Sequence, residues 1–115
     1  MPAPNLTMVL DRDQLRDVTL NDDDLMREVL ETLISDTTLQ MPLLQAAIRA
    51  GDVPATLRLA HYCKGACANL GAKAAAATLL HIEYSAASGD FSGCAASLAN
   101  LATEVERLRA EEFPG

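Results

Sequence analysis

The sequence predicts an all-α protein: an antiparallel up-down four-helix bundle with a short extra N-terminal helix. Three observations carry that expectation. Half of the residues are hydrophobic but only 3% are aromatic, with no Trp, and alanine supplies much of the apolar share. Strands favour β-branched and aromatic side chains, whereas small residues suit closely packed helices. Apolar residues also recur three and four apart over long stretches, the period of one helical face. Short segments of Gly, Asp, Asn and Ser separate those stretches, and connections this short make neighbouring helices antiparallel. A chain of 115 residues can bury one core and is too short for two. The expected organisation is an extended lead-in over residues 1–10 and a single helical-bundle domain over 11–115.

Pro2 and Pro4 mark the lead-in as extended. Asp11 can cap a short helix through about Val18. Asn21 or Asp22 starts the next helix, with acids massed in its first turn where the helix dipole favours them. Leu25, Met26, Val29, Leu30, Leu33 and Ile34 give it an apolar face, and it is expected to end near Ser35. Asp36, Thr37 and Thr38 then read as a capping cluster for a further segment. Leu39, Leu43, Leu44, Ala47 and Ile48 continue the rhythm there to Ala50. Pro42 falls early in that segment, where a missing N–H costs little; were the two segments joined, it would bend the helix.

Gly51 reads as a helix terminator and Asp52 as the next cap, with Pro54 in the first turn. The helix that follows carries His61 and runs to about Leu70 before Gly71. Another spans Ala72 to about Ala87 and ends at Ser88-Gly89-Asp90. The last runs from Phe91 or Ser92 to about Glu112, with Leu98, Leu101, Val105 and Leu108 as its core stripe.

The formal charge of −7 argues against a general nucleic-acid binder, which would show a basic footprint. Its distribution is uneven. Between Thr37 and Ile82 the only acid is Asp52, while Arg49, Arg58, Lys64 and Lys73 are basic. A locally basic zone around His61 thus sits inside an acidic protein, and such a zone attracts an acidic surface or a phosphoryl group. Three cysteines are an odd number for a disulfide framework, which suggests a reducing compartment. Met1–Leu10 has no basic region followed by an apolar stretch, so no signal peptide is expected. No apolar run approaches the roughly 20 residues needed to span a bilayer. The expectation is a cytoplasmic monomer.

Around a helix that turns about 100° per residue, Thr56, Ala60, Cys63, Cys67 and Leu70 fall on one side, with Val53 at its edge. That side faces the bundle. His61 lies well away from it, among Pro54, Leu57, Arg58, Lys64, Gly65 and Ala68, so it should be exposed to solvent. Gly65 in a helix interior costs about 1 kcal/mol relative to alanine. Close approach of another molecule is the reason this position suggests.

Ala60-His61, Lys64-Gly65 and Asn69-Leu70-Gly71-Ala72 resemble the signature of the histidine-containing phosphotransfer domains of multistep phosphorelays. The likeness covers most of the chain. Met8-Val9-Leu10-Asp11 with Leu15 is similar to that family's lead-in and first helix, Gly51-Asp52 to its usual turn, and Leu79 through Ile82-Glu83 to an apolar-acid pair on the following helix. Tyr62 and Cys63 depart from the family pattern, which more often has a small or hydroxylated residue and then leucine.

The resemblance implies that His61 takes a phosphoryl group from one aspartyl-phosphate receiver domain and passes it to another. Lys64 would attract the phosphoryl oxygens, Gly65 would leave room for the receiver, and Leu57, Arg58 and Ala68 would contact it. Neutral imidazole is a nucleophile without further activation. The receiver would supply the metal and the electrostatic stabilisation, so the chain would be an intermediate with no kinase activity, no cofactor and no metal of its own.

Two other readings remain to be set beside this one. Cys63 and Cys67 are four apart on a helix, a spacing that can chelate a metal. His61 points nearly opposite Cys63, however, and Cys94 would have to come from another helix, so buried free thiols are the better reading. His81 reads as a surface or boundary side chain. The functional alternative is a binding module that engages a receiver through Leu57, Gly65 and Ala68 without phosphorylation.

Overall fold

Aspartate side chains start four of the five helices in a computed structural model that describes residues 8–111. Asp11 caps α1 (Arg12–Val18) by accepting from the Gln14 N–H at 3.1 Å. Asp22 caps α2 (Asp23–Arg49) through Leu25, and Asp52 caps α3 (Val53–Asn69) through Ala55. Asp90 caps α5 (Phe91–Arg109) through Gly93. Each such bond satisfies an N–H left free at the helix start and contributes about 1 kcal/mol. Only α4 (Lys73–Ala87) starts without a side-chain cap, at Ala72.

The long helices form a closed ring, with α2 against α3 and α5, α3 against α4, and α4 against α5. Their apolar faces meet in one core that includes Leu30, Leu33, Leu44, Ile48, Leu79, Ile82, Leu101, Val105 and Leu108. Alanines and cysteines at Ala60, Cys63, Cys67, Ala75, Ala86 and Cys94 fill the narrow contacts between helices. The predicted all-α bundle with a short first helix is what the chain adopts.

Helix α2 corrects one expectation. Asp36, Thr37 and Thr38 start no new helix; Asp23–Arg49 is continuous over 27 residues. All three residues are accommodated within the continuous helix. Thr37 is buried in the bundle, the Thr38 hydroxyl donates to the Ile34 carbonyl at 2.7 Å, and Asp36 accepts from the Tyr62 hydroxyl. Pro42 therefore lies inside α2, where it leaves the Thr38 carbonyl without its usual donor.

The apolar rhythm there is also misleading. Leu39 is 70% exposed, and Leu25 and Leu43 face solvent, while Thr37, Leu44 and Ile48 continue the buried stripe. Leu39 and Leu43 are four apart, as a helical face requires, but their face is the outer one. The last helix ends at Arg109, with Ala110 as its C-cap. Glu112, its expected end, lies outside the described residues, as do residues 1–7 of the lead-in.

Part of the lead-in that is described ties α1 to the bundle. The Asp11 N–H donates to the Gly71 carbonyl at 2.8 Å, and the Ala74 N–H donates to the Met8 carbonyl at 3.0 Å. Gly71 has φ of +85°, and a Cβ there would lie 2.6 Å from the Asp11 carbonyl oxygen. Both the turn and the close approach demand glycine.

Candidate functional site

Helix α3 lies between α2 and α4, which leaves one outward strip along its length. Thr56, Ala60, Cys63 and Cys67 point into the core and fix the rotation of the helix. His61 consequently faces out, with 74% of its side chain exposed. Arg58, Gly65 and Ala68 are exposed beside it, Leu57 is half-buried against the core, and Lys64 lies toward α4. All six residues singled out from the sequence thus occupy the outward and α4-facing sides of α3.

Space over Gly65 is open. A Cβ built there meets no heavy atom within 4 Å, so nothing in the fold requires the absence of a side chain. The C-terminal end of the strip is bounded by α1, whose Gln14 amide donates to the carbonyls of Ala68 at 2.6 Å and Asn69 at 3.2 Å.

A carboxylate that sequence reasoning gave no role completes the arrangement. Glu83 reaches over from α4, with Oε2 3.5 Å from His61 Nδ1 and Oε1 2.6 Å from Lys64 Nζ. At that distance Lys64 and Glu83 form a close ion pair. Lys64 therefore does not stand free beside the imidazole. The signal in the sequence was Ile82-Glu83: Ile82 is fully buried, which leaves the next side chain at the edge of α4.

Other members of the basic zone differ in the same way. Lys73 pairs with Asp11 at 3.3 Å, whereas Arg58 makes no ion pair among the described residues. The Gln14 N–H and then Lys73 hold the Asp11 carboxyl below its usual range. Tyr62 faces α2, where its hydroxyl donates to Asp36 at 2.9 Å. That bond and the nearby negative charge push the phenol up.

The three cysteines are buried free thiols. Burial pushes Cys63 up to about 12 and Cys67 up to about 11, with each other's proximity adding to the shift at Cys63. Thiols held protonated are poor metal ligands, since the thiolate is the form that binds. Among the described residues, no three or more His, Cys, Asp or Glu side chains are grouped to hold a metal ion. His81 is exposed on α4. Two surface depressions lie between α2 and α5, away from His61.

The Hpt domain model matches residues 28–111, and the chain belongs to that family. Phosphotransfer intermediates of two-component phosphorelays are the function class so defined. Histidine-containing phosphotransfer protein B from Pseudomonas aeruginosa PAO1 is similar in structure, with a TM-score of 0.79 and 29% identity. That match covers 93% of this chain and 90% of the other. A rice protein described as a putative histidine-containing phosphotransfer protein shares the fold at 18% identity and a TM-score of 0.78, over 89% of this chain and 75% of its own. No curated protein matches the sequence.

Proposed function

We propose that His61 is the phosphoacceptor of this domain, and that it receives its phosphoryl group from the aspartyl phosphate of one receiver domain and delivers it to another. The observation that carries this reading is a histidine 74% exposed in mid-helix beside the open space over Gly65. Glu83 lies on the Nδ1 side of the ring, which leaves Nε2 facing the approach. The Nε2 lone pair attacks phosphorus, the bond to the aspartyl oxygen breaks, and its electron pair leaves on the carboxylate. Transfer onward is the same exchange in reverse at a second aspartate.

Leu57, Arg58 and Ala68 supply the contact surface around the ring, and Arg58 meets the acidic receiver pocket with its charge uncancelled. Lys64 attracts phosphoryl oxygens as a point charge once it is free of Glu83. The domain spans residues 11–115 and acts as a monomeric carrier in the cytoplasm, where receiver domains operate. It has no kinase activity of its own. No helix among the described residues is long and apolar enough to cross a membrane.

The test is mass spectrometry after exposure to phosphoramidate, with His61→Gln as the control. The expected outcome is one acid-labile phosphoryl group on His61 and none on the variant. Absence of labelling, together with receiver binding that survives His61→Gln, would establish the phosphorylation-independent binding module instead.

A further inference from the structure

The carboxylate of Glu83 serves two partners at once. Oε2 lies against His61 Nδ1 and Oε1 against Lys64 Nζ, so one acid bridges the ring and the cation that stands one helical turn away. The three groups differ sharply in exposure: 74% for His61, 26% for Lys64 and 17% for Glu83. The ion pair thus lies at the foot of the exposed ring, partly shielded from water, where charges interact more strongly than at an open surface. At 2.6 Å this is a close ion pair, and a competing anion has to draw Lys64 out of it.

A phosphoryl group on Nε2 is such an anion. It places new negative charge within side-chain reach of Lys64 and close to Glu83, which it repels. We propose that Glu83 is a positioning residue that holds Lys64 in reserve: the cation is withheld from the phosphoryl group unless it abandons Glu83, and the phosphorylated ring is kept weakly stabilised and ready to transfer. This inference rests on His61 being the phosphoacceptor.

The chemistry balances without a further reactant. In the phosphorylated state the ring carries its proton on Nδ1, facing Glu83 Oε2. On transfer the Nε2–P bond breaks, its electron pair stays on Nε2, and phosphorus bonds to the receiver's carboxylate oxygen. The Nδ1 proton remains on the ring, which leaves as neutral imidazole, and Lys64 stays paired with Glu83 throughout.

The first test uses the unphosphorylated full chain titrated with inorganic phosphate, followed by the NMR signals of the His61 ring. With the opposing charge removed and the shape kept, Glu83→Gln should bind phosphate about fivefold more tightly. On a Lys64→Gln background the gain should vanish, because two residues that act on one another are not additive. Lys64→Gln alone should change phosphate affinity little, and this comparison does not depend on the Glu83 variant folding. Equal affinity of Glu83→Gln and the unsubstituted chain would overturn the proposal. So would a gain that persists without Lys64, or a large loss from Lys64→Gln alone.

The second test is the lifetime of the phosphohistidine formed with phosphoramidate, read by phosphorus NMR. Glu83→Gln should lengthen it about fivefold, again only with Lys64 present. An unchanged lifetime overturns the reserve role. A chain that shows the expected phosphate binding yet takes no phosphoryl group at His61 overturns the phosphocarrier reading instead, so the two failures are separable.

Discussion

Gly65 is the residue whose environment separates the needs of the fold from those of a partner. No heavy atom lies within 4 Å of a Cβ placed there, so Gly65→Ala should stabilise the protein by about 1 kcal/mol, the helix-propensity difference. Urea unfolding would show it as a higher midpoint at unchanged slope. Gly65→Leu should likewise fold, yet it fills the approach to His61, and receiver docking and phosphotransfer should fall together in a transfer assay. Unimpaired transfer would remove the close-approach role. The direction of His61 was legible in the sequence because the rotation of α3 is set by local spacing. The pairing of Lys64 was not, since Glu83 belongs to another helix and spacing along one helix cannot reveal it. The cysteines give a prediction at the same scale. With their thiols held protonated by burial, Cys63 and Cys67 should resist iodoacetamide at pH 8 in the folded chain and react once it is unfolded in urea.

Helix starts were the most legible elements, because an aspartate followed by an apolar repeat writes its own cap. Asp11 and Asp52 hold the cap positions expected of them, Asp22 takes the one left open between it and Asn21, and Asp90, read only as the end of the preceding helix, caps α5. Helix α2 was misread because Asp36-Thr37-Thr38 has the composition of a cap, while Thr37 is buried in the bundle and Asp36 is bonded to Tyr62 across to α3. Tertiary partners decide such a cluster, and local pattern does not contain them. Pro42 lies exposed inside this continuous helix. Pro42→Ala restores a donor to the Thr38 carbonyl and should raise stability by roughly 1–3 kcal/mol, again measured by urea unfolding. At α1, the Asp11 carboxyl titrates lower in the folded chain than its ordinary value of 3.8. A depressed carboxyl stabilises the fold above the unfolded value and loses that contribution as pH falls through the folded one. Melting temperature should therefore drop with acidification below about pH 4, less steeply in Asp11→Asn, which keeps a capping oxygen but carries no charge.

Four long helices share one core, so a truncation anywhere within it should be felt throughout the molecule. Leu79 is fully buried on α4, and Leu79→Ala should cost about 3 kcal/mol through lost burial and the cavity left behind. Loss of stability without loss of phosphate binding at the surface would keep the two roles of the bundle apart. The general architecture was legible because each helix announces its own inner face, but the closing contacts between distant segments were not. Two of these hold α1 against the turn between α3 and α4: Gln14 bonds to Ala68, 54 residues later, and Asp11 bonds to Gly71. Closing a loop of that length carries an entropic cost before any contact repays it, and its target exists only after α3 and α4 have turned back on one another. The N-terminal helix should consequently dock last in folding and detach first in native-state hydrogen exchange, with the amides of Asp11 and Ala74 opening well below the global unfolding energy. The boundary of the His61 surface would then come and go with that opening, on a timescale of its own, while the histidine stays fixed on the rigid bundle beneath.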